Sequence, residues 1–136
     1  MFSIIKNILY VDADQFEAMA NFYQKGLGIP AVYCDPANLG WAEFDTGSTR
    51  LCFHGNPHYK TDLSGDHMKY NHIVLCAGDI ETVSGLREKF VQNGYAEKEL
   101  YDVERGEVSV LVEHEAYVVF WVSDPMGNMI QVESVQ

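Results

Sequence analysis

Two histidines and a glutamate, His54, His72 and Glu133, are the residue types from which a divalent-metal site is readily built. Two imidazoles and one carboxylate suit iron, zinc or manganese as a facial set. To act together they must project from one face of neighbouring strands. His58, His67 and His114 sit in polar, turn-rich stretches and read as linker and hairpin residues. Cys34, Cys52 and Cys76 are an odd number without zinc-motif spacing, so reduced thiols in a cytoplasm are the expectation. Cys34 and Cys76 read as small buried hydrophobes. The chain has no Ser-His-Asp spacing, phosphate loop or Gly-x-Gly-x-x-Gly run, which leaves hydrolase and nucleotide-binding readings without support.

Such side chains need a scaffold of strands. Ser3–Val11 is rich in β-branched and aromatic residues and reads as one. An amphipathic helix follows, with Phe16, Met19, Ala20, Tyr23 and Leu27 on one face of a 3.6-residue period. Asp14 and Glu17 suggest a capping pair at its start, and Gly26 and Gly28 stop it. Strands are expected over 31–35, 40–46 and 48–54. The polar stretch from Gly55 to Tyr70, punctuated by Pro57 and Gly65, reads as a linker. The pattern then restarts: a strand over 71–77, and a helix capped by Asp79 with Ile80, Val83, Leu86 and Phe90 on one face. Further strands are expected around 97–103, 107–113, 116–123 and 129–134. That is one strand more than in the first half.

The two halves repeat. Lys6 to Val11 superimposes on His72 to Ala77 at an offset of 66, and Thr49 to His54 on Asn128 to Glu133 at an offset of 79. The difference places about a dozen extra residues in a longer hairpin near 102–115. Strand parity then sorts the side chains, since residues i and i+2 share a face. Leu9, Val11, Leu51, Phe53, Ile73, Leu75, Ile130 and Val132 form the helix-side set. Lys6, Tyr10, Arg50, Cys52, His54, His72, Gln131 and Glu133 fall on the other side.

Bulk properties narrow the partners. At 136 residues, 47% hydrophobic and 21% charged, the chain has ordinary globular composition and enough length for a core without staples. Nine Lys and Arg against twenty Asp and Glu give a net charge of −11 with no basic cluster, so nucleic acid is not an expected partner. Strong acidity can draw in cationic small molecules. No apolar run is long enough for a membrane span, and the N-terminus shows no readable secretion signal.

Two βαβββ halves of this size resemble the vicinal oxygen chelate superfamily, also called the glyoxalase/bleomycin-resistance/dioxygenase superfamily. The carriers are Asn21-Phe22-Tyr23 ahead of Gly26-Leu27-Gly28-Ile29-Pro30, then Trp41-Ala42-Glu43-Phe44-Asp45-Thr46-Gly47, then the turn Asp124-Pro125-Met126-Gly127-Asn128. The resemblance implies an α+β fold, a single domain over 1–136. Module one would span 1–55, a linker 56–70 and module two 71–136, with curved mixed sheets forming a cup. The implied cup residues are Lys6, Tyr10, Arg50, Cys52, His54, His72, Trp121, Gln131 and Glu133, with Trp41 and Tyr117 as further candidate aromatic walls.

In metal-binding members one ligand sits early in the first strand of each module and one carboxylate on each last strand. Carried over, these positions are Lys6, Cys52, His72 and Gln131. His72 is a ready ligand, but Lys6 would have to lose its proton. Gln131 is a neutral amide, and Cys52 suits zinc rather than a harder ion. A displaced set of His54, His72 and Glu133 is the alternative, although two residues of strand are roughly 6.6 Å. The metal would then be zinc, nickel, manganese or iron.

The reading that follows is a small-molecule-binding protein of the bleomycin-resistance kind, holding an aromatic or cationic compound beside a degraded metal site. The alternative is a metal-dependent glyoxalase-like lyase or dioxygenase. Members of this size commonly form homodimers, which is the implied assembly.

Overall fold

A computed structural model describes residues 4–62 and 72–135. The chain divides into two compact units, over 1–62 and 63–136. The linker histidine His67 lies outside the described residues.

The first unit opens with β1 (Lys6–Asp12) and a 3₁₀ turn at Ala13–Gln15. The α-helix α1 (Phe16–Asn21) follows, with a π-helical turn at Phe22–Gly26. Then come β2 (Ala31–Cys34), β3 (Trp41–Asp45) and β4 (Arg50–Asn56). The sheet order is β1-β4-β3-β2, with β1 parallel to β4 and the other pairs antiparallel. All five residues of the expected helical stripe, Phe16, Met19, Ala20, Tyr23 and Leu27, are buried. They close over Leu9, Val11, Phe44, Leu51 and Phe53. Phe53 is the hub, with ring centroids 5.9 Å from Phe16, 5.4 Å from Tyr23 and 5.0 Å from Phe44. Burying side chains of this size stabilises by roughly 1.5–3 kcal/mol each.

The helix differs from expectation in its winding and its cap. No side chain caps either the 3₁₀ turn or α1, so the Asp14–Glu17 pair does not act as one. The neighbouring acid, Asp12, is buried and serves a distant partner, accepting from Thr61 N at 2.8 Å and Thr61 Oγ1 at 2.7 Å. At the other end Leu27 N–H reaches back five residues to the Phe22 carbonyl at 2.9 Å. That wider turn lets the adjacent Phe22 and Tyr23 both be buried before Leu27 completes the stripe. β4 also extends further than the Gly55 break suggests. Gly55 lies inside it, and glycine is required there because a Cβ would sit 1.8 Å from the Leu39 carbonyl oxygen.

The second unit contains β5 (His72–Cys76), α2 (Ile80–Gln92) and β6 (Ala96–Lys98), then β7 (Glu107–Ser109) and β8 (Val112–Glu113). It ends with β9 (Val118–Ser123) and β10 (Met129–Glu133). The order is β5-β10-β9-β7-β6, with β8 also paired to β9. Asp79 caps α2 as expected, its side chain accepting from Thr82 N at 2.8 Å. Val83 and Phe90 bury the helix face, and Phe90 packs on Phe120 at 6.3 Å between centroids. The surplus strand resolves into two features. β6 is a short extra strand parallel to β7, and the 107–113 segment breaks in two. At the break Ser109 Oγ takes the Trp121 N–H at 2.8 Å in place of a ladder partner.

The strand registers reproduce the repeat. Lys6 pairs with Arg50 in the first sheet and His72 with Met129 in the second, as the offsets of 66 and 79 require. The Asp124–Asn128 turn is closed from within. Asp124 Oδ1 accepts from Met126 N and Asn128 N, both at 2.9 Å, and Oδ2 from Asn128 Nδ2 at 2.8 Å. Gly127 adopts φ +85°, a region open to glycine, which explains its place in the motif.

Candidate functional site

In the first unit the side of the sheet away from the helix is organised in three cross-strand rows. Register puts Lys6, Arg50 and Asp45 in one row, then Ile8, Cys52 and Glu43, then Tyr10, His54 and Trp41. The face therefore runs from a charged row, through a middle row that sets Ile8 and Cys52 beside Glu43, to an aromatic one. Lys6 reaches diagonally to Glu43, with Nζ 2.6 Å from Oε1, and Trp41 Nε1–H donates to the same oxygen at 3.2 Å. The hydrogen bond from Lys6 is the main reason the Glu43 carboxyl is held below its usual range. The indole bond and the charges of Lys6 and Arg50 add to it against an opposing desolvation.

Cys52 is fully buried on this face, and burial, then the Glu43 carboxylate, pushes its thiol up. In the aromatic row Tyr10 meets His54 edge to face at 5.6 Å, and Tyr59 at 5.8 Å. Tyr59 Oη lies 3.2 Å from His54 Nδ1.

The second unit presents a parallel arrangement. Its rows are His72 with Met129 and Ser123, Val74 with Gln131 and Trp121, and Cys76 with Glu133 and Val119. Gln131 is the centre. Its Oε1 accepts from Trp121 Nε1 at 3.0 Å and lies 3.1 Å from His72 Nε2. Its Nε2 donates to Glu133 Oε2 at 3.2 Å. An indole nitrogen can only donate, so the shared oxygen is the amide carbonyl and His72 brings an Nε2–H to it. Cys76, exposed, directs its thiol at Glu133 Oε1 at 3.7 Å. Burial, then the Glu133 charge and hydrogen bond, pushes that thiol up. Tyr101 lies 6.0 Å from Trp121, ring to ring.

Both units thus focus an indole N–H and the side chain at the start of the first strand onto one oxygen. In the first it belongs to Glu43, in the second to Gln131. Of the residues expected from sequence, Lys6, Tyr10, Arg50, Cys52 and His54 share one face of the first unit. His72, Trp121, Gln131 and Glu133 share one face of the second. Among the described residues no group of three or more His, Cys, Asp or Glu is arranged to hold a metal ion. Sequence reasoning left out Glu43 and Tyr59. Glu43 alternates with Trp41, so a shared face was readable, whereas its register with Cys52 was not. Tyr59 lies in the stretch read as linker. The expectation of buried Cys34 and Cys76 is corrected: Cys34 is half-buried and Cys76 exposed.

The family model for the Glyoxalase/Bleomycin resistance protein/Dioxygenase superfamily matches residues 6–132, and the chain belongs to that superfamily. Among solved structures it is similar to a lactoylglutathione lyase from Agrobacterium tumefaciens, with TM-score 0.65 and 18% identity over 97% of this chain and 92% of that one. A bleomycin resistance determinant encoded on the transposon Tn5 aligns with TM-score 0.64 and 16% identity, covering 99% of both chains. A bleomycin-binding protein complexed with bleomycin aligns with TM-score 0.60 and 15% identity over 100% of both chains. At these identities the likeness is one of fold. No curated protein matches the chain. Among the described residues no helix is long and apolar enough to cross a membrane.

Proposed function

We propose that this chain is a metal-independent small-molecule-binding protein of the bleomycin-resistance kind, whose ancestral metal positions have been converted to hydrogen-bonding ones. The observation that carries the reading is the state of the two first-strand positions. Lys6 offers an ammonium already engaged by Glu43 at 2.6 Å, and an ammonium has no lone pair for a metal. His72 spends its Nε2–H on Gln131, whose amide oxygen is also held by Trp121. These side chains do not fit a divalent ion, and the neutral Gln131 and buried Cys52 do not compensate for them.

The ligand in this reading is aromatic. Tyr10 is 67% exposed with His54 and Tyr59 beside it, and Trp121 has the Tyr101 ring tilted against it. Rings of this kind supply a large contact area with a polar tip. A cationic ligand is supported only by the net charge of −11, a property of the whole surface.

Metal analysis of protein purified without a chelating tag tests the reading. The expected result is sub-stoichiometric metal after dialysis, with little thermal shift on adding zinc, nickel or manganese. One tightly held divalent ion per chain would overturn it in favour of a metal-dependent glyoxalase-like lyase or dioxygenase. Release of that ion by His54→Ala or Glu133→Ala, but not by Gln131→Ala, would then assign the displaced set of His54, His72 and Glu133.

A further inference from the structure

The charged row of the first sheet holds a guanidinium with an unsatisfied nitrogen among the described residues. Arg50 Nη1 is buried and has no hydrogen-bond partner among the described residues. Asp45, its register neighbour on β3, spends Oδ1 on the backbone N–H of Gly47 at 2.8 Å. Glu43 Oε1 is shared by Lys6 and Trp41. Among the described residues no carboxylate lies within ion-pair distance of Arg50. A guanidinium is a planar fork of five donors that cannot shed its charge at neutral pH. An unanswered buried donor is costly, and native structures keep few of them unless an ion or ligand completes the site.

The neighbours of Arg50 define what would complete it. Lys6 is its register partner on β1, so two cations stand side by side, with Glu43 engaged by Lys6 and Asp45 by the Gly47 backbone. Along the same face follow Ile8, 46% exposed, and then the exposed Tyr10 with His54 and Tyr59. Four residues of strand separate the Lys6–Arg50 row from the Tyr10–His54 row, roughly 13 Å.

The geometry points to an oxyanion-recognition site at Arg50 and Lys6, at one end of an apolar and aromatic wall, so that the ligand is an amphiphilic organic anion. Its carboxylate-type head takes the Arg50 fork, Ile8 carries its body, and Tyr10 meets its aromatic end. This deepens the proposed function and rests on its claim that this face is a ligand wall. A head group with two oxygens suits the fork best, because two parallel N–H···O bonds form at once.

Calorimetric titration of the full chain with 4-phenylbutyrate, its neutral amide 4-phenylbutyramide and inorganic phosphate tests the inference. The acid is expected to bind about tenfold tighter than the amide, with that preference shrinking as salt is raised. Arg50→Gln should erase the preference and Arg50→Lys retain part of it, the lysine variant and ligand-free melting curves controlling for folding. Tyr10→Ala, at an exposed position, should weaken acid and amide alike. Equal binding of acid and amide, a preference that survives Arg50→Gln, or no binding by either probe would overturn the inference. Phosphate binding as tightly as the acid would overturn the role of the apolar wall. A tightly held divalent ion would end the metal-independent reading and leave the acid-over-amide preference measurable, so the two failures are distinct.

Discussion

Lys6 and Glu43 stand 2.6 Å apart across two strands that are not neighbours, since β4 lies between them. A lysine at the start of a strand could have extended into water along its stem. It instead reaches over the Arg50–Cys52 strand to a carboxylate that is only 14% exposed. A carboxylate held in this way makes the stability of the pair testable by pH.

Because Glu43 is held below its usual range when folded, its contribution is present in full above the unfolded value near 4.5. It is lost as pH falls through the depressed folded value. Lys6→Met is therefore expected to lower stability at pH 7 by at most about 1 kcal/mol, the half-exposed lysine limiting the effect. The difference from wild type should shrink as pH falls below 4.5 and disappear once it is below the depressed folded value. Thermal melts across an acid pH series check this.

The thiols give a second prediction. All three cysteines are pushed up in pKa, by burial first and then by a nearby acid: Asp35 for Cys34, Glu43 for Cys52 and Glu133 for Cys76. Only Cys76 is exposed. One cysteine per folded chain should alkylate with iodoacetamide near pH 8, more slowly than a free cysteine peptide. Glu133→Gln should accelerate it several-fold by favouring the thiolate. Mass-spectrometric mapping of the labelled peptide checks both the site and the rate.

Asp124 is fully buried and accepts three hydrogen bonds within its own turn. Asp124→Ala would strand those donors in the interior. We expect a loss of about 2–4 kcal/mol in urea unfolding, with the midpoint shifted and the fold retained.

Assembly can be weighed in solution. Ile4, Ile5, Ile8, Val32 and Tyr33 are exposed apolar residues on or next to β1 and β2, the outer strands of the first sheet. Such edges seek partners. A homodimer is expected in sedimentation equilibrium at micromolar protein, tightening in moderate salt as repulsion between two chains of net charge −11 is screened. A monomer that binds ligand would refute it.

The residue pattern revealed what is local or periodic. The stripe from Phe16 to Leu27, the Asp79 cap and the 124–128 turn each depend on neighbours in the chain. The offsets of 66 and 79 even anticipated the parallel registers. What escaped depends on distant partners. Asp14 has the right spacing for a cap, yet the helix start is uncapped, and nearby Asp12 is claimed by Thr61. Alternation assigns Glu43 a face but not the strand it will lie across. Cys52 was placed on the polar face correctly, and its burial there follows from Ile8 and Glu43 flanking it in the row.

The parallel pairing that joins the first strand of each sheet to its last also sets how much chain each sheet must close. Lys6 meets Arg50 across a separation of 44 positions, and His72 meets Met129 across 57. The β9–β10 hairpin needs only the self-bonded 124–128 turn. Local hairpins therefore close short loops in each half, whereas docking the first strand must close a long one. Closure cost grows only with the logarithm of length, so the longer second half pays about 0.2 kcal/mol more than the first. The insertion between its strands therefore adds almost nothing to the closure entropy of the second sheet.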